Sequence, residues 1–196
     1  MKGTFFIASQ PRSRTAWLAN FFTTGSSYCY HEALKSCPTV LELQKAFEET
    51  PADYVGNSDS GLPFYIDEVM SAFPEAKLVV IERDPAEVLR SLQKAYPQTP
   101  EGLKEAVELT GQALEILKKK YHPLVVGYEE LNRPETCRKL WQYCVPTLPF
   151  SEKRWKMLDL LTVEIHPEKY LKTLSLETAQ RVAKKLKEFS VLLSKK

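Results

Sequence analysis

Two stretches of this chain combine basic and hydroxyl side chains at a spacing suited to holding an anion. The first is Ser9-Gln10-Pro11-Arg12-Ser13-Arg14-Thr15-Ala16-Trp17, and the second is Glu82-Arg83-Asp84-Pro85 with Ser91 two helical turns beyond. In the first, the apolar run Thr4 to Ala8 leads into a polar loop, and Trp17, Leu18, Phe21 and Phe22 then recur at helical spacing. A helix starting there turns unpaired N–H groups and the positive end of its dipole toward the loop, which is where anions bind. Arg12 and Arg14 add charge, and Ser13 and Thr15 add hydroxyl donors. A Walker phosphate loop fits poorly: Ala8, Ser13 and Arg14 stand where that template needs glycine, glycine and lysine, and only Thr15 agrees. In the second stretch Arg83 offers a planar fork for a phosphate and Ser91 a hydroxyl. Each stretch also has a plainer reading: Arg12 and Arg14 facing water, and Arg83 paired with Asp84 or Glu87.

The elements that must present these residues can be read from apolar patterning. Thr4 to Ala8, Leu78 to Ile81 and Leu124 to Gly127 are short continuous runs, as expected for strands buried on both faces. Each is followed by a helix signal: the Trp17 to Phe22 spacing, Asp84-Pro85-Ala86-Glu87 with an N-cap, a first-turn proline and a capping-box carboxylate, and Asn132-Arg133-Pro134-Glu135. A further helix is expected from Thr99-Pro100-Glu101 to about Lys120, and another near the C-terminus with Val182, Leu186, Phe189 and Leu193 on one face. Strands alternating with helices predict an α/β domain with a central parallel sheet, whose ligands bind where strands end and helices begin. That singles out residues 9–17, 82–91 and 127–131.

Composition narrows the classes. A chain of 196 residues, 43% hydrophobic and 27% charged, suits a single domain spanning 1–196. A net charge of only +2 gives no global basic field, so no nucleic-acid partner is expected and any anion site must be local. Only 7 glycines argue further against a glycine-rich phosphate loop. Cys29, Cys37, Cys137 and Cys144 have no zinc-type spacing, so reduced thiols and no metal are expected. Neither a signal-peptide core nor an 18-residue apolar run occurs, so the expectation is a cytoplasmic protein without a membrane partner.

Taken together, the two stretches resemble the sulfotransferase family. Pro11-Arg12-Ser13 through Trp17-Leu18 is similar to its 5′-phosphosulfate loop, usually Pro-Lys/Arg-Ser-Gly-Thr-Thr-Trp-Leu; Arg83-Asp84-Pro85 through Ser91 is similar to its 3′-phosphate motif. Gly127-Tyr128-Glu129-Glu130-Leu131 resembles a third family segment, Tyr-Glu-Asp-Leu, and Thr147-Leu148-Pro149-Phe150 follows it. The resemblance covers roughly residues 4–18, 58–91 and 124–152, in family order. It implies a three-layer domain related to P-loop kinases, with helices flanking the sheet, which takes 3′-phosphoadenosine-5′-phosphosulfate (PAPS) as co-substrate and passes its sulfuryl group to an acceptor hydroxyl without a metal.

Carried over residue by residue, the resemblance makes Arg12 the cation at the leaving 5′-phosphate. Ser13, Arg14 and Thr15 join it around the 5′ end, Trp17 and Tyr128 lie near the adenine, and Arg83 and Ser91 hold the 3′-phosphate. An acceptor hydroxyl needs a general base. The histidine of the cytosolic Lys-Thr-His-Leu-Pro segment is replaced in Asp59-Ser60-Gly61-Leu62-Pro63, where glycine stands in its place. Other branches use a glutamate about twenty residues past the loop cation, which makes Glu32 the candidate base, with His31 and Asp59 as alternatives. Asn57 to Ser60 are expected to form a polar rim around the acceptor, and 28–41 and 95–103 to supply its pocket. The acceptor could be a carbohydrate, a phenol or a tyrosine. Two departures stand out: Arg14 replaces the family glycine and Ala16 a threonine, losing close backbone approach and one donor. They leave room for a noncatalytic PAPS-binding module, and the fold relationship for a divergent small-molecule kinase.

Overall fold

The computed structural model describes residues 2–96, 102–160 and 176–193. Its centre is one parallel sheet of five strands: β1 (Gly3–Ser9), β2 (Ser27–His31), β3 (Tyr54–Asp59), β4 (Lys77–Glu82) and β5 (Leu124–Gly127), in the order β2-β3-β1-β4-β5. The helices are α1 (Thr15–Phe22), α2 (Val40–Glu49), α3 (Ile66–Ala72), α4 (Pro85–Ala95), α5 (Gly102–Tyr121), α6 (Pro134–Cys144), α7 (Glu152–Asp159) and α8 (Leu176–Leu193).

β1 is the middle strand, in register with β3 from Gly3 opposite Tyr54 to Ala8 opposite Asp59, and with β4 from Phe5 opposite Lys77 to Ser9 opposite Ile81. Its side chains alternate between two cores. Phe5 and Ile7 join Leu18, Phe22, Leu140 and Trp141 on the side of α1 and α6, whereas Phe6 and Ala8 join Leu43, Phe47, Val69 and Leu117 on the side of α2, α3 and α5. A strand with apolar residues on both faces belongs inside a parallel sheet, which explains why its sequence run is continuous. This three-layer arrangement is the fold class expected from the sequence.

All three expected strands form, but β5 lies at the sheet edge and is not buried on both faces, since only Val126 of it is buried and Val125 is exposed; two more strands accompany them. β2 (Ser27-Tyr28-Cys29-Tyr30-His31) and β3 (Tyr54 through Asp59) carry polar residues that do not announce strands, and their pairing supplies the preference. β3 also corrects the expectation of a polar rim. Asn57, Ser58 and Asp59 lie inside the strand and are buried, so they are part of the scaffold and do not border open solvent. Gly56 in the same strand is demanded by packing, because a Cβ there would fall 2.2 Å from the Phe5 ring.

The helix starts agree in part with the sequence. Asp84 caps α4, accepting from the N–H groups of Ala86 at 2.8 Å and Glu87 at 3.0 Å, but no capping box closes. The Glu87 carboxylate lies instead 3.7 Å from each of Arg83 and Arg90. Residues 99–101, expected to open α5, lie outside the described residues, as do the side chains of Val182, Leu186 and Leu193; Phe189 packs edge-on to Phe64 at 5.4 Å. Among the described residues, no helix is long and apolar enough to cross a membrane.

Candidate functional site

The loops after β1, β2, β3 and β4 emerge at the same end of the sheet, because the strands are parallel. The β1 loop reaches α1 through two residues in the left-handed region, Arg12 (φ 63°) and Arg14 (φ 62°). Arg14 is the N-cap of α1 and stands where the resembled motif has glycine. The backbone therefore keeps a conformation that glycine would adopt without strain, at a cost of about 1 kcal/mol for a residue with a Cβ. The Arg14 side chain turns toward the α6 and α7 side: Nη2 donates to Asn132 Oδ1 at 2.8 Å and Nη1 lies 3.6 Å from Asp159. Its guanidinium also lies 5.5 Å from the Trp17 ring centre and 5.4 Å from that of Tyr128.

Residues far apart in sequence meet at this loop. Arg12 Nε donates to Ser91 Oγ at 3.2 Å across 79 positions, and Arg83 Nη1 donates to the Arg12 carbonyl. The Arg83 guanidinium also lies 3.9 Å over the Tyr128 ring, a cation–π contact at the start of the short 3₁₀ turn following β5. Arg12, Ser91, Arg83 and Tyr128 thus form one cluster at the N-terminal end of α1. Burial, the largest cause, pulls Arg12 below the ordinary arginine value, and the Arg83 charge adds to this against the opposing Tyr96 and Tyr128; the guanidinium remains a cation. Arg83 is not spent on Asp84, which caps α4, but it does hold Glu87.

Ser13 and Thr15 complete the loop. Ser13 Oγ is buried with no hydrogen-bond partner among the described residues, and the same is true of Ser9 Oγ and Ser58 Oγ nearby in the sheet. An unpartnered buried hydroxyl is costly, and an anionic oxygen seated against the loop would relieve it. Thr15 Oγ1 instead meets His31 Nε2 at 3.1 Å. Trp17 is packed in the core, stacked on Phe21 at 5.0 Å, and its indole N–H has no partner among the described residues.

Glu32 follows β2 with φ 55° and caps a 3₁₀ turn at Ala33–Lys35. Its two carboxylate oxygens are engaged, one by Lys35 Nζ and the other by Ser60 Oγ at 3.1 Å. Arg181 of α8 braces this turn by donating to the carbonyls of Leu34 at 2.8 Å and Lys35 at 3.0 Å. Asp59 is used structurally: it accepts from the N–H groups of Leu34 at 3.1 Å and Gly61 at 2.7 Å and from Asn57 Nδ2 at 3.2 Å. Burial, followed by the nearby Glu32 charge, raises Asp59 above the usual carboxylate range, and its three donors oppose the rise.

Of the stretches expected to form an acceptor pocket, 28–31 is strand and 97–101 lies outside the described residues. A cleft of about 570 Å³ opens beside Arg83, lined by Gln10, Asp84, Glu108, Gly111 and Glu115 among others. Spacing gave no sign of the tether from Arg14 to Asn132 and Asp159, of the Thr15–His31 contact, or of the Arg181 brace. All three join distant segments, and only the packing of α1, β2 and α8 brings them together. Among the described residues no cluster of histidine, cysteine and carboxylate side chains could hold a metal ion.

Comparison with known proteins follows the same direction. Residues 40–133 match the model of the sulfotransferase family, a span that contains Arg83, Ser91 and Tyr128 and begins after the Arg12 loop and Glu32. No curated protein matches the sequence. Among solved structures, a sulfotransferase from Alicyclobacillus acidocaldarius superposes with a TM-score of 0.59 at 16% identity, covering 93% of this chain and 94% of that one. The mouse sulfotransferase SULT7A1, complexed with PAP, gives a TM-score of 0.53 at 14% identity over 81% of this chain; the chain spans 64% of that protein's length. The sulfotransferase resemblance read from the sequence, and the α/β fold with a central parallel sheet that it implies, are borne out.

Proposed function

We propose that this chain, with its sulfotransferase fold and its match to that family, transfers the sulfuryl group of PAPS to an acceptor hydroxyl. The observation that carries the reading is the meeting of Arg12, Ser91 and Arg83 at the start of α1, which gathers the two resembled motifs into one basic site. Arg83 and Ser91 would grip the 3′-phosphate, the group that separates this donor from ordinary adenosine nucleotides. Arg12 and the α1 N–H groups would hold the 5′ end, with Ser13 and Thr15 supplying hydroxyl donors. Tyr128, beside Arg83, and Trp17 would flank the adenine.

In the reaction the acceptor oxygen bonds to sulfur, the bond from sulfur to the 5′-phosphate oxygen breaks, and the acceptor proton passes to Glu32. Negative charge then grows on the leaving phosphate oxygen, where a fixed cation and helix-end donors are most effective. Since both Glu32 oxygens already have partners, the acceptor hydroxyl must displace Ser60 or share the carboxylate with Lys35. No step calls for a metal. A cytoplasmic location is part of the same reading.

That prior engagement of Glu32 favours one second reading, a noncatalytic module that binds the donor or its desulfated product. Titration calorimetry with 3′-phosphoadenosine-5′-phosphate (PAP), followed by a sulfate-transfer assay over sugar, phenol and tyrosine-peptide acceptors, separates the two. Binding with transfer supports the enzyme, and binding without transfer supports the module. If no PAP binds at millimolar concentration, both readings are lost.

A further inference from the structure

The contact between Thr15 and His31 joins the start of α1 to the end of β2, and it constrains the hydroxyl that the proposed function assigns to the 5′ end of the donor. Thr15 is the first residue of the helix, beside N–H groups that have no intrahelical acceptor. Its hydroxyl has a single hydrogen. If His31 Nε2 is bare, that hydrogen points to the ring and Thr15 turns lone pairs toward the anion position, which is repulsive. If Nε2 carries a hydrogen, the ring donates to Oγ1 and the Thr15 hydrogen is released to the anion.

We propose that His31 is a positioning residue for the donor, its Nε2–H orienting the Thr15 hydroxyl so that Thr15 donates to the 5′ end of the bound nucleotide. This rests on the PAPS reading above and adds to it a residue acting only through Thr15. His31 is well placed for the task. Its backbone is held in register with Ser58 of β3, and the left-handed turn at Glu32 ends the strand directly after it. The charged groups facing the ring are Glu32 and Lys35 on its own turn and Asp59 from β3. Burial is the largest influence and lowers the ring below the ordinary histidine value; Lys35 acts with burial, while Glu32 and Asp59 oppose it. A bound anion adds to the opposing side and raises the proton affinity of the ring.

Calorimetric titration of PAP into the full chain between pH 5.5 and 8.5, in buffers of differing ionisation enthalpy, tests this. The wild type is expected to take up protons on binding near neutrality. His31→Ala should weaken PAP about tenfold or less, the range of one lost hydrogen bond. His31→Gln, whose amide N–H can replace Nε2–H, should recover most of that affinity while losing the additional proton uptake. Thr15→Val should remove the difference between the two His31 variants. Affinities and proton uptake unchanged in both His31 variants would overturn the proposal, as would equal loss in both with unaltered circular dichroism, which would reduce the ring to packing. If the wild type itself fails to bind PAP, the donor reading falls first and this inference falls with it.

Discussion

Arg12 and Glu32 divide the proposed chemistry between a half-buried cation on the leaving-group side and a carboxylate on the acceptor side. They are presented by neighbouring loops, and each sits in the left-handed region, a conformation that only surrounding structure can hold in place. If Glu32 is the base, Glu32→Gln keeps the hydrogen bond to Ser60 but cannot take the proton. The sulfate-transfer kcat should then fall about 10²- to 10⁴-fold with PAP affinity within about twofold of wild type. Arg83→Ala should act on the other parameter, weakening PAP far more than adenosine 5′-phosphosulfate, which has no 3′-phosphate; calorimetry with both ligands reads the contrast. An equal loss for the two ligands would remove Arg83 from 3′-phosphate recognition.

At the scale of elements, the β1 loop and α1 raise the question of why arginine stands at a glycine position. Arg14 pays its left-handed strain through contacts that leave the loop, to Asn132 after β5 and Asp159 at the end of α7. It therefore ties three segments together, whereas glycine would only permit the turn. Arg14→Gly and Arg14→Ala both delete those contacts, but alanine retains the strain. Urea unfolding should find the alanine variant less stable than the glycine variant by about 1 kcal/mol; equal stabilities would mean that the loop relaxes. The brace from Arg181 to the Glu32 turn is a second tie of this kind, joining α8 to the β2 side of the site.

Over the whole molecule, the two cores and the buried polar strand between them set stability. Phe22 is fully buried, stacked on Trp141 at 5.5 Å and tilted against Phe5 at 4.8 Å, so Phe22→Ala should cost about 3–5 kcal/mol in chemical denaturation. Asp59 gives a pH signature. Its folded-state value is raised by burial, so between the unfolded and folded values the native state binds more protons, and stability falls as pH rises. Asp59→Asn abolishes that titration while losing acceptor capacity toward its three donors. The stability of the variant minus that of wild type should therefore increase as pH rises from about 4 upward. A flat difference in urea melts would show that Asp59 does not titrate differently on folding.

The sequence by itself determined strands β1, β4 and β5, the helix starts at Asp84-Pro85 and Arg133-Pro134, and the place of the two basic, hydroxyl-bearing stretches after β1 and β4. These rest on local causes: continuous apolar runs for strands, buried on both faces in β1 and β4, proline at first helical turns, and basic and hydroxyl residues just ahead of a helix. Tertiary structure alone decided that β2 and β3 are strands, because pairing and burial from distant segments override their polar composition. The same cause turned Asn57 to Asp59 from an expected rim into buried scaffold, joined Arg12 to Ser91, and set His31 against Thr15. Spacing along the chain reports a helix face or a strand face, whereas contacts across 16 or 79 positions exist only once the sheet order β2-β3-β1-β4-β5 is fixed.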